Sequence, residues 1–368
     1  MLKEATEQLD EEEGVYIRYG MDGSLFNLRR LHAHSKTMEK LIRELLFADD
    51  AALVALSEAS LQRITSCFAA ASRMFGLEVS LKKTEVLYQP SPQVLNRPPN
   101  ICIGDTALKN ANEFNYLGCI ISNDAKIDKE IDNRLAKANS SFGRLHKRVW
   151  NNKQLRYCTK IRVYRAVVLT TLLYGSESWV AYRHHVRLLE RFHQRCLRSI
   201  LNIHWRDYIT NVEVLDRAKI PSIEAILLKQ QLRWAGHVHR MNDNRFPKLT
   251  LYGELSRGHR VRGAPRKRFK DSLKKSLACA SIDHNHWSDL AADRKLWRNA
   301  IHEGASNFET NRKALVKDKR QRRKARISSN TLPDTIFPCR LCSRSCLSRI
   351  GLLSHERSCI KKRGQNPS

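Results

Sequence analysis

The sequence predicts an α+β fold with short strands first, helices through the middle and a compact Cys/His module at the end. The first third of the 368 residues alternates β-prone runs with turns that contain glycine and proline. In the middle, apolar residues recur every three or four positions, the period of an amphipathic helix. At roughly 150 residues per domain, the length predicts two or three domains. The predicted segments are an acidic leader (1–13), a strand-rich segment (14–121), a helical segment (122–252), a basic loop with a helix and a basic linker (253–336), and the Cys/His module (337–360).

The charge of the chain points to a polyanionic partner. There are 66 basic and 37 acidic residues, giving a formal net charge of +29 and a pI near 10.0. Nucleic acid is the usual partner of a protein with such a surplus of positive charge. Lysines scattered evenly over the surface would not indicate a particular partner. Here the surplus is concentrated, because residues 257–326 contain 21 basic and 7 acidic residues.

No secretion or membrane signal is visible. The N-terminus, MLKEATEQLDEEEG, is acidic where a signal peptide is basic and then apolar. The most apolar stretch, 166–176, is far shorter than the ~20 residues of a membrane span. Six of the ten cysteines are isolated and four are clustered. This pattern predicts a reduced intracellular protein, nuclear or cytoplasmic, with one metal site.

Two predicted hairpins open the strand-rich segment. VYIRY and SLFNL flank Asp22-Gly23, a pair that two-residue hairpin loops favour. Residues 41–56 read LIRELLFADDAALVAL. A buried helix also fits these apolar runs, but their short length and the central Asp49-Asp50 pair favour strand–turn–strand.

The rest of this segment alternates between helix and strand. A helix is predicted over 60–75, where apolar positions recur at helical spacing, and Gly76 ends it. A strand around 79–87, a proline-rich loop over 89–100 and the two short strands ICIGD and FNYLGCIIS complete the segment.

The second segment is predicted to be helical throughout. From Ile127 to Val149, seven apolar residues are spaced by three or four positions, which indicates a strongly amphipathic helix. Thr210 and Glu213 have the spacing of a capping box. Further helices are predicted at 155–174, 184–202, 210–218 and 222–240.

Two basic segments are candidates for nucleic-acid contact. RGHRVRGAPRKRFK (257–270) has glycines and a proline that disfavour helix, so its backbone can follow phosphates. NRKALVKDKRQRRKAR (311–326) is compatible with an RNA-binding helix or a nuclear import signal. For residues 257–270 the alternative is a solvated loop. The candidate contact residues are Arg257, Arg260, Arg262, Arg266, Lys267, Arg268, Arg320, Arg322, Arg323 and Lys324.

Several other conspicuous residues have ordinary structural explanations. Trp287 and Trp297 could stack on bases, but at helical spacing tryptophans are more often core residues. Ser176 and the His184-His185 pair form no convincing nucleophile–base arrangement. We therefore assign none of these five residues to a site.

The C-terminal module has the spacing of a zinc finger. Cys339, Cys342, His355 and Cys359 give C-x2-C-x12-H-x3-C. The first pair suits a tight β-hairpin and the second lies on one helix face, so together they can close a tetrahedron around Zn²⁺. Cys346 is a possible competing ligand, which we interpret as a small core residue.

The finger is poorly suited to reading bases in a DNA major groove. If its helix begins near Ser348, the groove-facing side chains would be Ser348, Gly351 and Ser354. Glycine cannot read a base, and serine discriminates poorly between bases. We expect contact with a nucleic-acid backbone, with a single strand or with a protein partner.

The paired carboxylates suggest a magnesium site. Asp49 and Asp50 follow Phe47-Ala48 at a turn between apolar strands, and burying two unpaired charges is expensive. Mg²⁺ prefers oxygen ligands and assists phosphoryl transfer in two-metal sites. The alternative is a solvent-exposed turn, where aspartates are common.

An ordered set of motifs accompanies the aspartates. Gly76-Leu77, Ser80 and Lys83-Thr84-Glu85 follow first, and FNYLG, with Tyr116 and Gly118, comes later. Together these motifs resemble the second half of the palm in reverse transcriptases of non-LTR (LINE-type) retrotransposons. VYRAVVLTTLLYGSESW, LKQQLRWAGHVHRM and GELSRG, together with the terminal Cys/His module, resemble the thumb and downstream region of the same elements.

The resemblance implies roles for these residues. Asp49 and Asp50 would be the metal-binding turn, Lys83 would lie beside the incoming nucleotide, and Tyr116 and Gly118 would belong to the primer grip. The family palm needs a further aspartate on an earlier strand, and only 48 residues precede Asp49. The resemblance therefore implies a truncated palm, with a weak or vestigial Mg²⁺ site, ahead of a helical thumb-like region.

Three functions follow as expectations. The first is a truncated, reverse-transcriptase-derived protein that binds RNA or DNA with weak sequence specificity and does not polymerise alone. The second is an active RNA-directed DNA polymerase completed by a longer element-encoded polypeptide. The third is a non-enzymatic zinc-finger module that binds nucleic acid or protein. A membrane partner is not expected.

Overall fold

The computed structural model describes residues 9, 13–20, 25–27, 31, 37–90, 97–257, 266–328, 337–342 and 344–363. The chain divides into two compact units, Met1–Glu309 and Thr310–Ser368. Helices combine with small, mostly antiparallel sheets, which confirms the predicted α+β class. None of the described helices is both long and apolar enough to cross a membrane.

The strands are short and form sheets of two or three. In chain order they are β1 (Val15–Gly20), β2 (Thr37–Ile42), β3 (Glu44–Phe47), β4 (Asp50–Leu53), β5 (Glu85–Leu87), β6 (Cys102–Ile103), β7 (Thr106–Ala107), β8 (Lys109–Ala111), β9 (Glu113–Tyr116), β10 (Cys119–Ser122), β11 (Glu254–Leu255), β12 (Phe337–Pro338) and β13 (Ser345–Cys346). β5 and β8 pair in parallel, and the other pairs are antiparallel.

The helices dominate the middle of the chain. They are α1 (Glu58–Met74), α2 (Asp128–Arg144), α3 (Tyr157–Val163), α4 (Thr170–Leu172), α5 (Arg183–Ile200), α6 (Asn211–Ala218), α7 (Ile223–His239), α8 (Phe246–Tyr252), α9 (Phe269–Cys279), α10 (Trp287–Ala292), α11 (Arg294–Ser328) and α12 (Arg349–Arg363). Wider π-helical turns follow α2 (His146–Trp150) and join α3 to α4 (Tyr164–Leu169). The helices predicted from periodicity over 60–240 are confirmed to within a few residues.

The predicted hairpin of VYIRY and SLFNL is wrong. β1 pairs along its whole length with β2, and on its other edge with β11. Leu25, in the predicted second strand, lies outside any strand and is buried among the helices around α7 and α9. Burial in that core stabilises an apolar side chain more than a place in an isolated two-stranded hairpin, which is only marginally stable in water. The proposed turn at Asp22-Gly23 lies outside the described residues.

Three other boundaries differ from prediction. The strand expected over 79–87 is reduced to β5, and 101–121 forms strands β6 to β9 and most of β10 instead of two strands. The expected single helix with both tryptophans is interrupted at Asp293. Its carboxylate accepts hydrogen bonds from the backbone N–H groups of Lys295 and Leu296 (2.6 and 2.9 Å), which starts a new helix there.

Two apolar cores support the helical part. One lies among α2 to α7, and the other among α7 to α11. Trp287 and Trp297 are buried in the second core, so their interpretation as core residues is confirmed. Trp297 Nε1 donates to the Leu232 carbonyl (3.0 Å), and Gly236 makes room for the indole, because a Cβ there would lie 2.0 Å from Nε1.

Candidate functional site

The C-terminal module forms a ββα finger, as its spacing predicts. β12 pairs with β13 through Phe337–Cys346 and Pro338–Ser345. α12 begins at Arg349, and the Ser348 hydroxyl accepts the Gly351 N–H (3.0 Å), so the helix starts where the sequence predicts. This local geometry brings the hairpin cysteines to one face of the helix.

The structure brings the four predicted zinc ligands together. The ligand atoms of Cys339, Cys342, His355 and Cys359 all lie within 4.8 Å of one another. The Cys342 and Cys359 sulfurs are 3.0 and 3.3 Å from His355 Nε2 and 3.5 Å from each other. Tetrahedral zinc with bonds of ~2.3 Å holds sulfurs roughly 3.8 Å apart. The group can therefore hold zinc with small adjustments, and Cys346 does not belong to it.

The thiols of this group are electrostatically coupled. The Arg344 backbone N–H, together with His355 and Cys359, lowers the pKa of Cys342 to about 6. The hydrogen bond to Cys342 raises the pKa of Cys359 to about 11, because a second thiolate beside the first is unfavourable. A bound divalent cation removes this repulsion and stabilises both thiolates.

The exposed surface of the finger carries apolar side chains as well as basic ones, such as Arg349 and Arg357 on its helix. Leu347, Ile350, Leu353 and Ile360 are all exposed there. Ser348 and Ser354 are exposed, and Gly351 is half-buried. These side chains offer no base-specific donors or acceptors beyond serine hydroxyls, which agrees with the expectation of poor base discrimination.

The aspartate pair lies on a solvent-exposed hairpin. β3 and β4 pair in antiparallel register with Phe47 opposite Asp50, which confirms strand–turn–strand over a buried helix. Ala48 adopts a left-handed conformation (φ 53°), and both Asp49 and Asp50 are exposed. Among the described residues, neither aspartate belongs to a group of three or more possible metal ligands.

The structure brings Tyr116, a predicted primer-grip residue, beside this turn. The Tyr116 hydroxyl donates to the Leu45 carbonyl (3.1 Å), and burial together with the charge of Asp50 raises the pKa of Tyr116. Gly118 occupies the next turn (φ 79°), and its carbonyl accepts Arg134 Nη2 (2.6 Å). Lys83 lies in the turn before β5; no hydrogen bond or ion pair in the described part of the chain joins it to the aspartates.

The described part of the basic loop is engaged with the fold. Arg257 lies over the Tyr16 ring and Lys267 over the Tyr182 ring, at 5.9 and 5.2 Å. Arg268 forms ion pairs of 2.9 Å with Glu254 and 3.3 Å with Asp271, and Arg266 donates to the Asp124 carbonyl. Arg260 and Arg262 lie outside the described residues. Phosphate would have to compete with these intramolecular contacts.

The second basic segment is a helical surface. It forms the C-terminal half of α11, in the second compact unit, and its side chains from Lys319 to Lys324 are exposed. Arg322 pairs with Asp318 (3.0 Å), the segment's lone acidic residue. Arg320 and Arg323 are exposed on the same helix, with no such ion pair to an acidic side chain among the described residues.

Asp128, His184 and His185 form a further cluster that spacing alone did not reveal. Both histidine Nε2 atoms approach Asp128 Oδ1, at 3.3 and 3.0 Å, and their hydrogen bonds lower the pKa of Asp128. The Tyr182 N–H donates to His185 Nδ1 (3.1 Å), so the proton of the neutral imidazole is on Nε2. That nitrogen has no lone pair for a metal, and the cluster instead ties the start of α5 to the start of α2.

Comparison with known proteins gives a distant relative. The chain is 28% identical to a Caenorhabditis elegans protein named as an uncharacterized transposon-derived protein, over 72% of this chain and 97% of that protein. No protein-family model matches the chain, and no solved structure matches it.

The first prediction concerns the metal ligands. Purified protein should contain one zinc per chain, and Cys342→Ser should lose it because three ligands cannot close the tetrahedron. Cys346→Ser is the matched control and should keep its zinc. Metal analysis of the three proteins checks this. Equal zinc in the parent and in Cys342→Ser, or loss from Cys346→Ser, would reject the assignment.

Proposed function

We propose that this chain is a retrotransposon-derived nucleic-acid-binding protein that descends from a non-LTR reverse transcriptase and does not polymerise alone. The observation that carries the binding role is the exposed basic helix at the end of α11. The Cys339–Cys342–His355–Cys359 finger, with a structural zinc ion, follows it in the chain. RNA or DNA is the partner, bound with weak sequence specificity.

The ancestry has two kinds of support. The distant relative is named as transposon-derived, and its similarity extends over most of both chains. The aspartate turn and the Tyr-Leu-Gly turn, which are 65 residues apart in sequence, are joined by the Tyr116–Leu45 hydrogen bond. A palm-derived segment would place its metal-binding turn and its primer grip near each other in this way.

The binding mechanism is electrostatic. Lysines and arginines that neutralise phosphates release condensed counterions, so affinity falls steeply with salt and depends little on sequence. A helix with basic side chains around most of its surface can contact phosphates in several registers. Ten free cysteines, without a disulfide, suit a reducing intracellular compartment.

The lack of polymerase activity follows from the carboxylates. Two-metal nucleotidyl transfer needs ions ~3.5–4 Å apart, held by carboxylates from separate elements. Asp49 and Asp50 come from one exposed turn, and such a turn holds at most a weak, hydrated Mg²⁺. A longer element-encoded polypeptide that supplied further ligands would restore the alternative, an active RNA-directed DNA polymerase.

The second prediction tests the basic helix. Changing Lys317, Lys319, Arg320 and Arg323 together to Gln keeps helix propensity and should weaken binding to single-stranded RNA. The slope of log affinity against log salt should become shallower by roughly 0.7 per lost phosphate contact. Fluorescence anisotropy at several salt concentrations measures both quantities.

A control variant that loses the same number of positive charges elsewhere shows whether the effect is specific to the basic helix. Lys137, Lys147, Arg148 and Lys153 are exposed on and after α2, and their change to Gln should leave the slope nearly unaltered. If both quadruple variants flatten the slope equally, binding is a property of net charge, and the helix is not the site.

The third prediction concerns catalysis. Primer extension on an RNA template, with Mg²⁺ or Mn²⁺, should give no product from this chain alone. The control is the Asp49→Ala/Asp50→Ala variant. Product made by the parent and absent from the variant would establish an active polymerase, whereas equal product from both would reveal a contaminant.

A further inference from the structure

An exposed aromatic pair lies on a tight turn after α5. Trp205 and Tyr208 are 75% and 80% exposed, although burying rings of this size is normally favourable. Their ring centroids are 6.5 Å apart at 77°, and the Arg206 guanidinium lies 5.7 Å from the Trp205 ring centre. The turn thus presents two aromatic faces and a cation to solvent.

The turn is held in an unusual backbone conformation. Tyr208 has φ 52°, a left-handed conformation that is disfavoured for an aromatic residue. The His204 N–H donates to Asp207 Oδ2 (2.8 Å), and the Tyr208 N–H donates to the Trp205 carbonyl (3.3 Å). These hydrogen bonds fix the turn, and both rings lie outside the core.

A basic cleft lies on α5 and at the start of α6. The cleft is shallow and open to solvent, has a volume of about 500 Å³, and is lined by Arg187, Glu190, Arg191, Gln194 and Asn211. Arg187 and Arg191 are one helical turn apart and exposed, without an ion pair among the described residues. Glu190 is already satisfied, because it accepts the Ile223 N–H (2.9 Å) and Gln194 Nε2 (3.0 Å).

Gln194, beneath the cleft, has one buried polar atom without a hydrogen-bond partner among the described residues. The side chain is 95% buried, and its Oε1 has no hydrogen-bond partner. The amide cannot be reversed, because Nε2 is needed to donate to the Glu190 carboxylate. The Gln194 side chain therefore forms the floor of the cleft and is fixed by its hydrogen bond to Glu190.

One arginine connects the cleft with the aromatic turn. Arg198 Nη2 donates to the Ile209 carbonyl (2.8 Å), directly after Tyr208, and to Asn211 Oδ1 (2.9 Å), which lines the cleft. Arg198 is therefore a positioning residue that fixes the turn beside the cleft.

We propose that this surface is a binding site for single-stranded nucleic acid, with bases stacked on Trp205 and Tyr208 and the adjoining phosphates held by Arg187 and Arg191. The inference rests on the proposed nucleic-acid-binding function and names the ligand class and a separate site. Bases of a single strand expose the faces that aromatic rings need, whereas a duplex covers them.

The fourth prediction tests the stacking. The full-length Trp205→Ala/Tyr208→Ala variant is compared with the parent on a single-stranded RNA, a single-stranded DNA of the same sequence and the matching duplex. Affinity for single strands should fall about 10-fold or more, because each stacked base contributes substantially. The salt slope and the duplex affinity should not change, since no phosphate contact is removed.

Three further variants make the result specific. Trp205→Phe/Tyr208→Phe keeps aromatic faces and should retain most of the affinity, which separates stacking from misfolding. Phe75→Ala, which removes an exposed ring after α1, should have no effect. Arg187→Gln/Arg191→Gln should instead flatten the salt slope by about 0.7 per lost contact.

The outcomes separate this inference from the proposed function. A loss confined to RNA or to DNA supports the site and identifies its ligand. If the parent binds single strands and the double alanine variant binds them equally, the site is overturned, the proposed function stands, and the aromatic pair serves a protein partner. If the parent binds no nucleic acid, both the proposed function and the proposed site are rejected.

Discussion

A buried ion pair on α2 joins the strands of the first unit to its helices. Glu130 and Arg134 are both buried, and Arg134 Nε donates to Glu130 Oε1 (2.5 Å). The other carboxylate oxygen accepts the Ile120 N–H (2.7 Å), and Arg134 Nη2 donates to the Gly118 carbonyl (2.6 Å). The guanidinium also lies 4.5 Å from the Tyr174 ring centre. Each charge thus has a partner, which is the condition under which a buried pair can be accommodated.

The clamp also supports the aspartate hairpin. The β9–β10 hairpin that it holds carries Tyr116, whose hydroxyl bonds the Leu45 carbonyl in the aspartate hairpin. On the other side, the Tyr174 hydroxyl donates to the Leu117 carbonyl (3.3 Å). Hydrogen bonds therefore run from the helical core through the Tyr-Leu-Gly turn to the Asp49–Asp50 turn. This continuity accounts for the close approach of two turns that are distant in sequence.

Local features could be predicted from sequence, and long-range ones could not. The grouping of Cys339, Cys342, His355 and Cys359 was predicted correctly, because each pair is close in sequence and its geometry is set by one hairpin or one helix turn. The partner of β1 was not predicted. The turn signal at Asp22-Gly23 is local, and it gives no information about the competing six-residue ladder between β1 and β2. The exposure of Trp205 and the unpaired Gln194 acceptor depend on packing between helices, and no spacing in the sequence encodes them.

The Glu130–Arg134 pair acts as one unit that holds the β9–β10 hairpin on α2. A double-mutant cycle of Glu130→Gln and Arg134→Met, followed by urea unfolding, tests it directly. Each single change leaves a buried charge unpaired and should cost about 3 kcal/mol of unfolding free energy. The double variant should be less destabilised than the sum of the two by at least ~1 kcal/mol. Single effects that add to within about 0.5 kcal/mol would contradict the claim.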